Sequence, residues 1–174
     1  MSEADRKGTA DLCDKYLTDP VDIIVQSDVR IAEPLFSNYG GNKRFSGQAV
    51  TIKCYENNPL VRKMLMEEPG NGRVLVVDGG ASKRCALLGD MLAEAGMKNG
   101  WKGIIVNGCI RDSEDISNMA IGVKALATYP LKSSKRDTGL LNVPVTFAGV
   151  TISPGEWIYA DLDGIIVSKL ELTL

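Results

Sequence analysis

Two short runs, Val74-Leu75-Val76-Val77 and Gly103-Ile104-Ile105-Val106, are apolar without alternation. A strand with one wet face alternates polar and apolar residues, so runs of this kind predict strands covered on both faces. Between them, residues 90–98 (Asp90-Met91-Leu92-Ala93-Glu94-Ala95-Gly96-Met97-Lys98) carry a helical pattern bounded by Gly89 and Gly100. Strand, helix and strand in that order predict a βαβ unit with parallel strands. Asp90 is well placed as the N-cap of that helix.

The remaining segments add to this core. Thr9 predicts an N-cap for a helix through Leu12, Cys13, Tyr16 and Leu17, stopped by Asp19-Pro20. Residues 48–56 alternate Val50, Ile52 and Cys54 with Thr51, Lys53 and Tyr55, which reads as a half-buried strand. Asn58-Pro59 starts a helix through Leu60, Val61, Met64 and Leu65, broken by Gly70-Asn71-Gly72. A short acidic helix from Asp112 to Met119 precedes a strand at Val123–Thr128. Strands follow at Val143–Phe147, Val150–Ile152, Trp157–Ala160 and Ile165–Val167, separated by the turns Ser153-Pro154-Gly155 and Asp161-Leu162-Asp163-Gly164. The expectation is one α/β domain over residues 1–174, a βαβ core carrying added antiparallel strands.

Composition narrows the chemistry. The chain has 174 residues and no histidine. Imidazole bases, Ser-His-Asp and Cys-His nucleophile systems and HExxH zinc sites are thereby excluded. Cys13, Cys54, Cys85 and Cys109 lie far apart, form no CxxC pair and sit in or beside apolar stretches, which predicts buried free thiols. A net charge of −2 argues against a dedicated nucleic-acid or membrane-surface binder. Met1-Ser2-Glu3-Ala4-Asp5-Arg6 has no apolar signal region, and no apolar run approaches the ~20 residues of a membrane span. A cytoplasmic protein is expected.

Ligands of open α/β sheets bind beyond the carboxyl ends of the strands. The two apolar strands end in Asp78-Gly79-Gly80-Ala81-Ser82 and in Asn107-Gly108-Cys109-Ile110-Arg111-Asp112. Neither GxGxxG nor GxxxxGK[ST] is present, so a nucleotide site is not indicated. Arg111-Asp112 can serve an anionic substrate, with the guanidinium on a carboxylate and the carboxylate on a hard metal; a surface salt bridge or helix cap is the plainer alternative. The helix starting at Asp90 offers unpaired N–H groups and a positive dipole end to a carboxylate. Lys53 and Lys124 fall in predicted strands, where a Schiff-base lysine would sit, but each is expected to point from a solvated face. Lys132-Ser133-Ser134-Lys135-Arg136 could touch RNA or an acidic protein, but a short basic loop on a slightly acidic chain reads as solvated.

Asp90, twenty intervening residues, then Arg111-Asp112-x-x-Asp115 is similar to the D-x20-R-D-x2-E/D pattern of one family. It comprises the regulator of ribonuclease activity A (RraA) proteins and the 4-hydroxy-4-methyl-2-oxoglutarate aldolases. Further matching stretches occur in the family's order: Asp11-Leu12-Cys13-Asp14, Phe45-Ser46-Gly47, Gly72 to Gly80, Asn107 to Asp112, Ile121 to Ala127 and Gly155 to Asp161.

The resemblance implies a three-layer swivelling β/β/α fold and a class II aldolase. Its substrates would be 4-hydroxy-4-methyl-2-oxoglutarate or 4-carboxy-4-hydroxy-2-oxoadipate, with oxaloacetate decarboxylated at the same site. It further implies that Asp112 binds Mg²⁺ or Mn²⁺ and that Arg111 holds the pyruvoyl end. The backbone of Gly89, Asp90, Met91 and Leu92 would hold the substrate carboxylate, with Asp90 positioning a water on the metal. A homotrimer or a dimer of trimers is implied, in which longer members recruit a C-terminal acid from a neighbouring subunit. The alternative within the family is a non-catalytic regulator that binds and inhibits a ribonuclease or RNA helicase; such members lack the Asp after the Arg, which is present here as Asp112.

Overall fold

The computed structural model describes residues 8–17, 19–20 and 28–174. In chain order these form α1 (Thr9–Tyr16), β1 (Val29–Ile31), β2 (Ser37–Asn38), β3 (Phe45–Lys53), α2 (Pro59–Glu67), β4 (Val74–Asp78), β5 (Ala86–Leu88) and α3 (Asp90–Lys98). There follow β6 (Gly103–Ile110), α4 (Ser113–Ser117), β7 (Gly122–Thr128), β8 (Leu140–Leu141), β9 (Val145–Phe147), β10 (Val150–Ile152), β11 (Trp157–Ala160) and β12 (Ile165–Ser168).

One mixed sheet runs β1-β12-β11-β3-β4-β6-β7-β2, with β5 attached to β6 and β8 to β3, while β9 and β10 form a separate hairpin. β3, β4, β6 and β7 are parallel neighbours. β3 serves three partners along its length: Phe45–Gln48 pair antiparallel with β11 and Ala49–Lys53 parallel with β4, while Ile52 and Lys53 also pair antiparallel with β8.

Both apolar runs are covered on both faces. Leu75, Val77, Ile104 and Val106 pack with Val61 and Leu65 of α2, Leu92 and Ala93 of α3 and Ile116 of α4. Their neighbours Val74, Val76 and Ile105 pack on the other side with Val145, Phe147, Val150, Ile152, Ile158 and Val167. The layers are thus helices, parallel sheet and antiparallel strands. A third cluster seats Leu12 of α1 against Val29, Tyr159, Ile166 and Leu172.

Several expectations need correction. The strand expected at 48–56 with one wet face is Phe45–Lys53 with nearly all of it buried. Thr51, read as solvated, is fully buried, and its hydroxyl donates to Val143 O at 2.6 Å. A later segment of chain covers that face, which local alternation cannot register. The strand expected from Val143 begins at Val145, after Pro144, which has no N–H for a ladder. The acidic helix is confined to Ser113–Ser117. Gly8, not Thr9, occupies the N-cap of α1; Thr9 instead donates its N–H and hydroxyl to the Asp161 carboxylate, both at 2.7 Å.

Lys53 is exposed as expected, but Lys124 is only 1% exposed. It shares the inner face of the sheet with Ile105, beside which it is paired. Burial depresses its pKa, with Asp161 and Asp163 acting in the opposite sense. All four cysteines are free; Cys54, Cys85 and Cys109 are buried, while Cys13 is partly exposed. Burial pushes the Cys54 thiol up to about 12, which makes it a packing group and not a nucleophile. No helix among the described residues is long and apolar enough to cross a membrane.

Candidate active site

The spacing of Asp90 and Arg111-Asp112 has a topological cause. β5 leads through Gly89 into α3, α3 crosses the sheet, and β6 returns parallel to β5, pairing Ala86 with Cys109 and Leu88 with Ile110. The ends of β5 and β6 therefore emerge side by side, and one crossover brings the two polar groups to the same edge. Arg111 N–H donates to Leu88 O at 2.9 Å and closes the junction.

Asp112 has φ 56° and ψ 39°, the left-handed region, where Asp is among the few non-glycine residues found with any frequency. This backbone turns its carboxylate back onto the start of α3. Oδ2 accepts the Asp90 N–H at 3.2 Å and lies 3.8 Å from Arg111 Nε. Oδ1 has no hydrogen bond among the described residues. Gly89 makes the arrangement possible: a Cβ there would lie 2.8 Å from Asp112 Oδ2 and 3.4 Å from Arg111 Nε. Gly89, not Asp90, is the N-cap of α3. Asp90 is the first helical residue, and its Oδ1 accepts the Met91 N–H at 2.8 Å. The Leu92 N–H lies in the first turn, where no carbonyl within the helix can reach it.

The start of α3 and Arg111 line one corner of an open cleft; Asp112 is not among the lining residues and stands behind them, against Gly89 and the Asp90 N–H. The cleft lining includes Gly89, Asp90, Met91, Leu92 and Arg111, which the sequence had singled out, together with Asn58, Arg62, Lys132, Ser133 and Lys135, which it had not. In sequence Asn58 is a helix start and Lys132–Lys135 part of a basic loop, with nothing that ties either to this cleft. Their convergence depends on long-range pairing that leaves no local pattern.

The other polar strand end turns inward. Asp78 Oδ1 accepts from Asn107 Nδ2 at 2.9 Å and from Gly80 N–H at 3.0 Å, so this cluster satisfies itself outside the cleft. Asp115 is exposed on α4. Glu171 lies in the segment anchored by the Leu172 N–H on the Tyr159 hydroxyl, and it is not among the residues lining the cleft.

Among the described residues no cluster of three or more His, Cys, Asp and Glu could enclose a metal ion. The carboxylate oxygens at this corner that carry no hydrogen bond among the described residues are Asp112 Oδ1 and Asp90 Oδ2. Such a set suits a hard ion such as Mg²⁺, which keeps most of its own water and binds through one or two carboxylates plus substrate oxygens. It does not suit zinc, which prefers three or four nitrogen and sulfur ligands.

An α/β sandwich presenting an Arg-Asp pair against a helix N-terminus, at the mouth of a cationic cleft, defines the class of protein. The sequence profile of the RraA-like family, described as Aldolase/RraA, matches residues 9–167. The chain belongs to that family. A protein of Ectopseudomonas mendocina, provisionally named a 4-hydroxy-4-methyl-2-oxoglutarate aldolase, is 56% identical over 95% of this chain and 96% of its own. One of Pseudomonas fluorescens with the same provisional name is 54% identical with the same coverage. Among solved structures, one from Geobacillus kaustophilus called an S-adenosylmethionine:2-dimethylmenaquinone methyltransferase superposes with a TM-score of 0.87 at 43% identity, covering 95% of this chain and 97% of that one. The RNA-processing inhibitor RraA of Thermus thermophilis superposes at 0.86 and 38% identity, covering 97% and 96%. Three different activities are named on one fold, so the site must decide between them.

Proposed function

We propose that the chain is a divalent-metal-dependent lyase. It cleaves 4-hydroxy-4-methyl-2-oxoglutarate, or 4-carboxy-4-hydroxy-2-oxoadipate, to pyruvate and a second oxo-acid, pyruvate or oxaloacetate, and it decarboxylates oxaloacetate. The observation that carries this reading is the packing of Arg111 and Asp112 on Gly89 at the start of α3. The aldolase name of the relatives above 50% identity supports it.

Asp112 would hold Mg²⁺ or Mn²⁺, and when bound this ion supplies Lewis-acid stabilisation of charge on the substrate's 2-oxo oxygen. Arg111 donates hydrogen bonds to that oxygen, and these strengthen as the ketone becomes an enolate. The first turn of α3, through the Leu92 N–H and the positive end of the helix, receives the substrate's C1 carboxylate. Asp90, fixed by the Met91 N–H, is the acidic residue of the cleft lining. As the C3–C4 bond breaks, it takes the proton of the C4 hydroxyl, directly or through a water, and returns it to C3 of the enolate. No imidazole is required.

The same reading includes assembly as a homotrimer or a dimer of trimers. Exposed Met91, Leu131 and Tyr55, at and beside the cleft, are the apolar groups such contacts would cover.

The test is pyruvate release from both hydroxy-oxo-acids and from oxaloacetate, with Mg²⁺, with Mn²⁺ and after chelation. Activity is expected only with metal. Asp112→Asn, which tolerates the left-handed backbone, is expected to lose about 10²- to 10³-fold or more. Undiminished activity in a metal-free preparation would sink the mechanism. The RraA likeness supports a second reading, a regulator of a ribonuclease or RNA helicase. It requires tight binding of such a partner by the purified Asp112→Asn protein.

A further inference from the structure

The segment Lys132-Ser133-Ser134-Lys135-Arg136 is stitched into the sheet edge. Ala86 N–H donates to Leu131 O at 2.7 Å and Ser133 N–H to Ala86 O at 3.1 Å. Ser134 N–H donates to Glu56 O at 2.9 Å, and Asn57 Oδ1 accepts the N–H groups of Arg136 and Asp137 at 2.9 and 3.0 Å. Ser133 is buried. Lys132 and Lys135 therefore stand on backbone fixed against β5, the strand that leads into Gly89 and Asp90. Arg62 of α2 joins them, so the cleft lining holds Arg62, Arg111, Lys132 and Lys135 against one acid, Asp90. Among the described residues, none of Arg62, Lys132 and Lys135 has a carboxylate partner. Converging like charges without counter-ions repel, and the arrangement is relieved by an anion with more than one charge.

On the lyase reading above, Arg111 and the start of α3 already serve the 2-oxo oxygen and the C1 carboxylate. We propose that Arg62, Lys132 and Lys135 bind the second, remote carboxylate of a dicarboxylic 4-hydroxy-2-oxo acid and bias the site toward aldol cleavage over decarboxylation. In cleavage the C3–C4 bond breaks, its electrons pass to the C2 oxygen, and C4 becomes a carbonyl as its hydroxyl loses a proton. The C5 carboxylate keeps its full charge throughout, so cations around it anchor substrate and transition state alike. In oxaloacetate the bond from C3 to the carboxylate carbon breaks, CO₂ leaves uncharged, and the electrons move to the C2 oxygen. Cations around that carboxylate stabilise the reactant more than the transition state and oppose the reaction.

Arg62, Lys132 and Lys135 are exposed, so Lys135→Gln, Arg62→Gln and the triple Gln variant should fold. The expected result is a fall in kcat/KM for 4-hydroxy-4-methyl-2-oxoglutarate of about 10- to 100-fold, mainly through KM, as for loss of a charge-assisted hydrogen bond. Oxaloacetate decarboxylation should fall less or rise, so that the ratio of the two kcat/KM values drops by at least about tenfold; Lys135→Arg should restore it. Parallel loss of both reactions, or an unchanged ratio, overturns the proposal while leaving the lyase reading standing. A wild-type protein inactive on both acids overturns the lyase reading itself.

Discussion

At position 89 the missing side chain is the space into which the Asp112 carboxylate fits. Adding a Cβ meets the free end of a side chain, not backbone, so the fold can absorb it while the site cannot. Gly89→Ala is expected to change stability by less than about 1 kcal/mol. Displacing the carboxylate by about 1 Å should nevertheless cost activity on the order of 10²-fold. A thermal melt beside a pyruvate-release assay separates the two effects; equal loss in both would show that Gly89 serves the fold. None of this was visible from the residue's neighbours in sequence, where Gly89 read as a helix boundary. Its contact with Asp112 exists because β5 and β6 pair. Phe45 makes the same point in the core: a Cβ on Gly103 or Gly122 would fall within the space of its ring, although the three lie in different strands. Lys124 was misplaced for a related reason, since the layer that buries it comes from other parts of the chain.

Among the elements, α1 depends on a turn at the far end of the chain. Asp161 is only 6% exposed, and burial alone would raise its pKa. Hydrogen bonds from the Thr9 hydroxyl and N–H and from the N–H groups of Asp163 and Gly164 outweigh burial and hold it below 3.8. A depressed carboxyl contributes stability above its unfolded value and loses it as pH falls through the folded one. Asp161→Asn should therefore destabilise the protein at pH 7, by about 1–3 kcal/mol as for hydrogen bonds to a charged group, and the deficit should shrink below pH 4. Denaturant melts at pH 7 and pH 3 measure this; a deficit independent of pH would mean that the charge contributes nothing. The elements legible from sequence, α2 and α3 by helical periodicity and β4 and β6 by unbroken apolar runs, extend over five to nine residues. β5 and β8, with three and two residues, exist through their pairing to β6 and β3 and carry no such signal.

For the whole molecule, two apolar runs imply strands covered on both faces, and the clusters on either side supply that cover; the three-layer order itself is what the family resemblance implies. The site divides differently. Its Asp90 and Arg111-Asp112 corner was legible as a spacing that one crossover converts into proximity. The Arg62 and Lys132–Lys135 side was not, because it is assembled from a helix and a loop on separate stretches of chain.

The left-handed turn at Asp112 has a consequence for how such a protein changes over generations. Arg111 and Asp112 belong to none of the three apolar clusters, and Asp112 occupies backbone that costs an L-residue about 1–2 kcal/mol. Glycine would remove that strain at the expense of one exposed 3.2 Å hydrogen bond. Asp112→Gly is thus expected to melt at the same temperature as the wild type or higher while losing metal-dependent activity; a clear drop in melting temperature would contradict this. Drift at this position runs downhill, toward a sound fold with silent chemistry. A lineage relieved of selection for lyase activity would shed the chemistry first and keep an intact surface free for other partners.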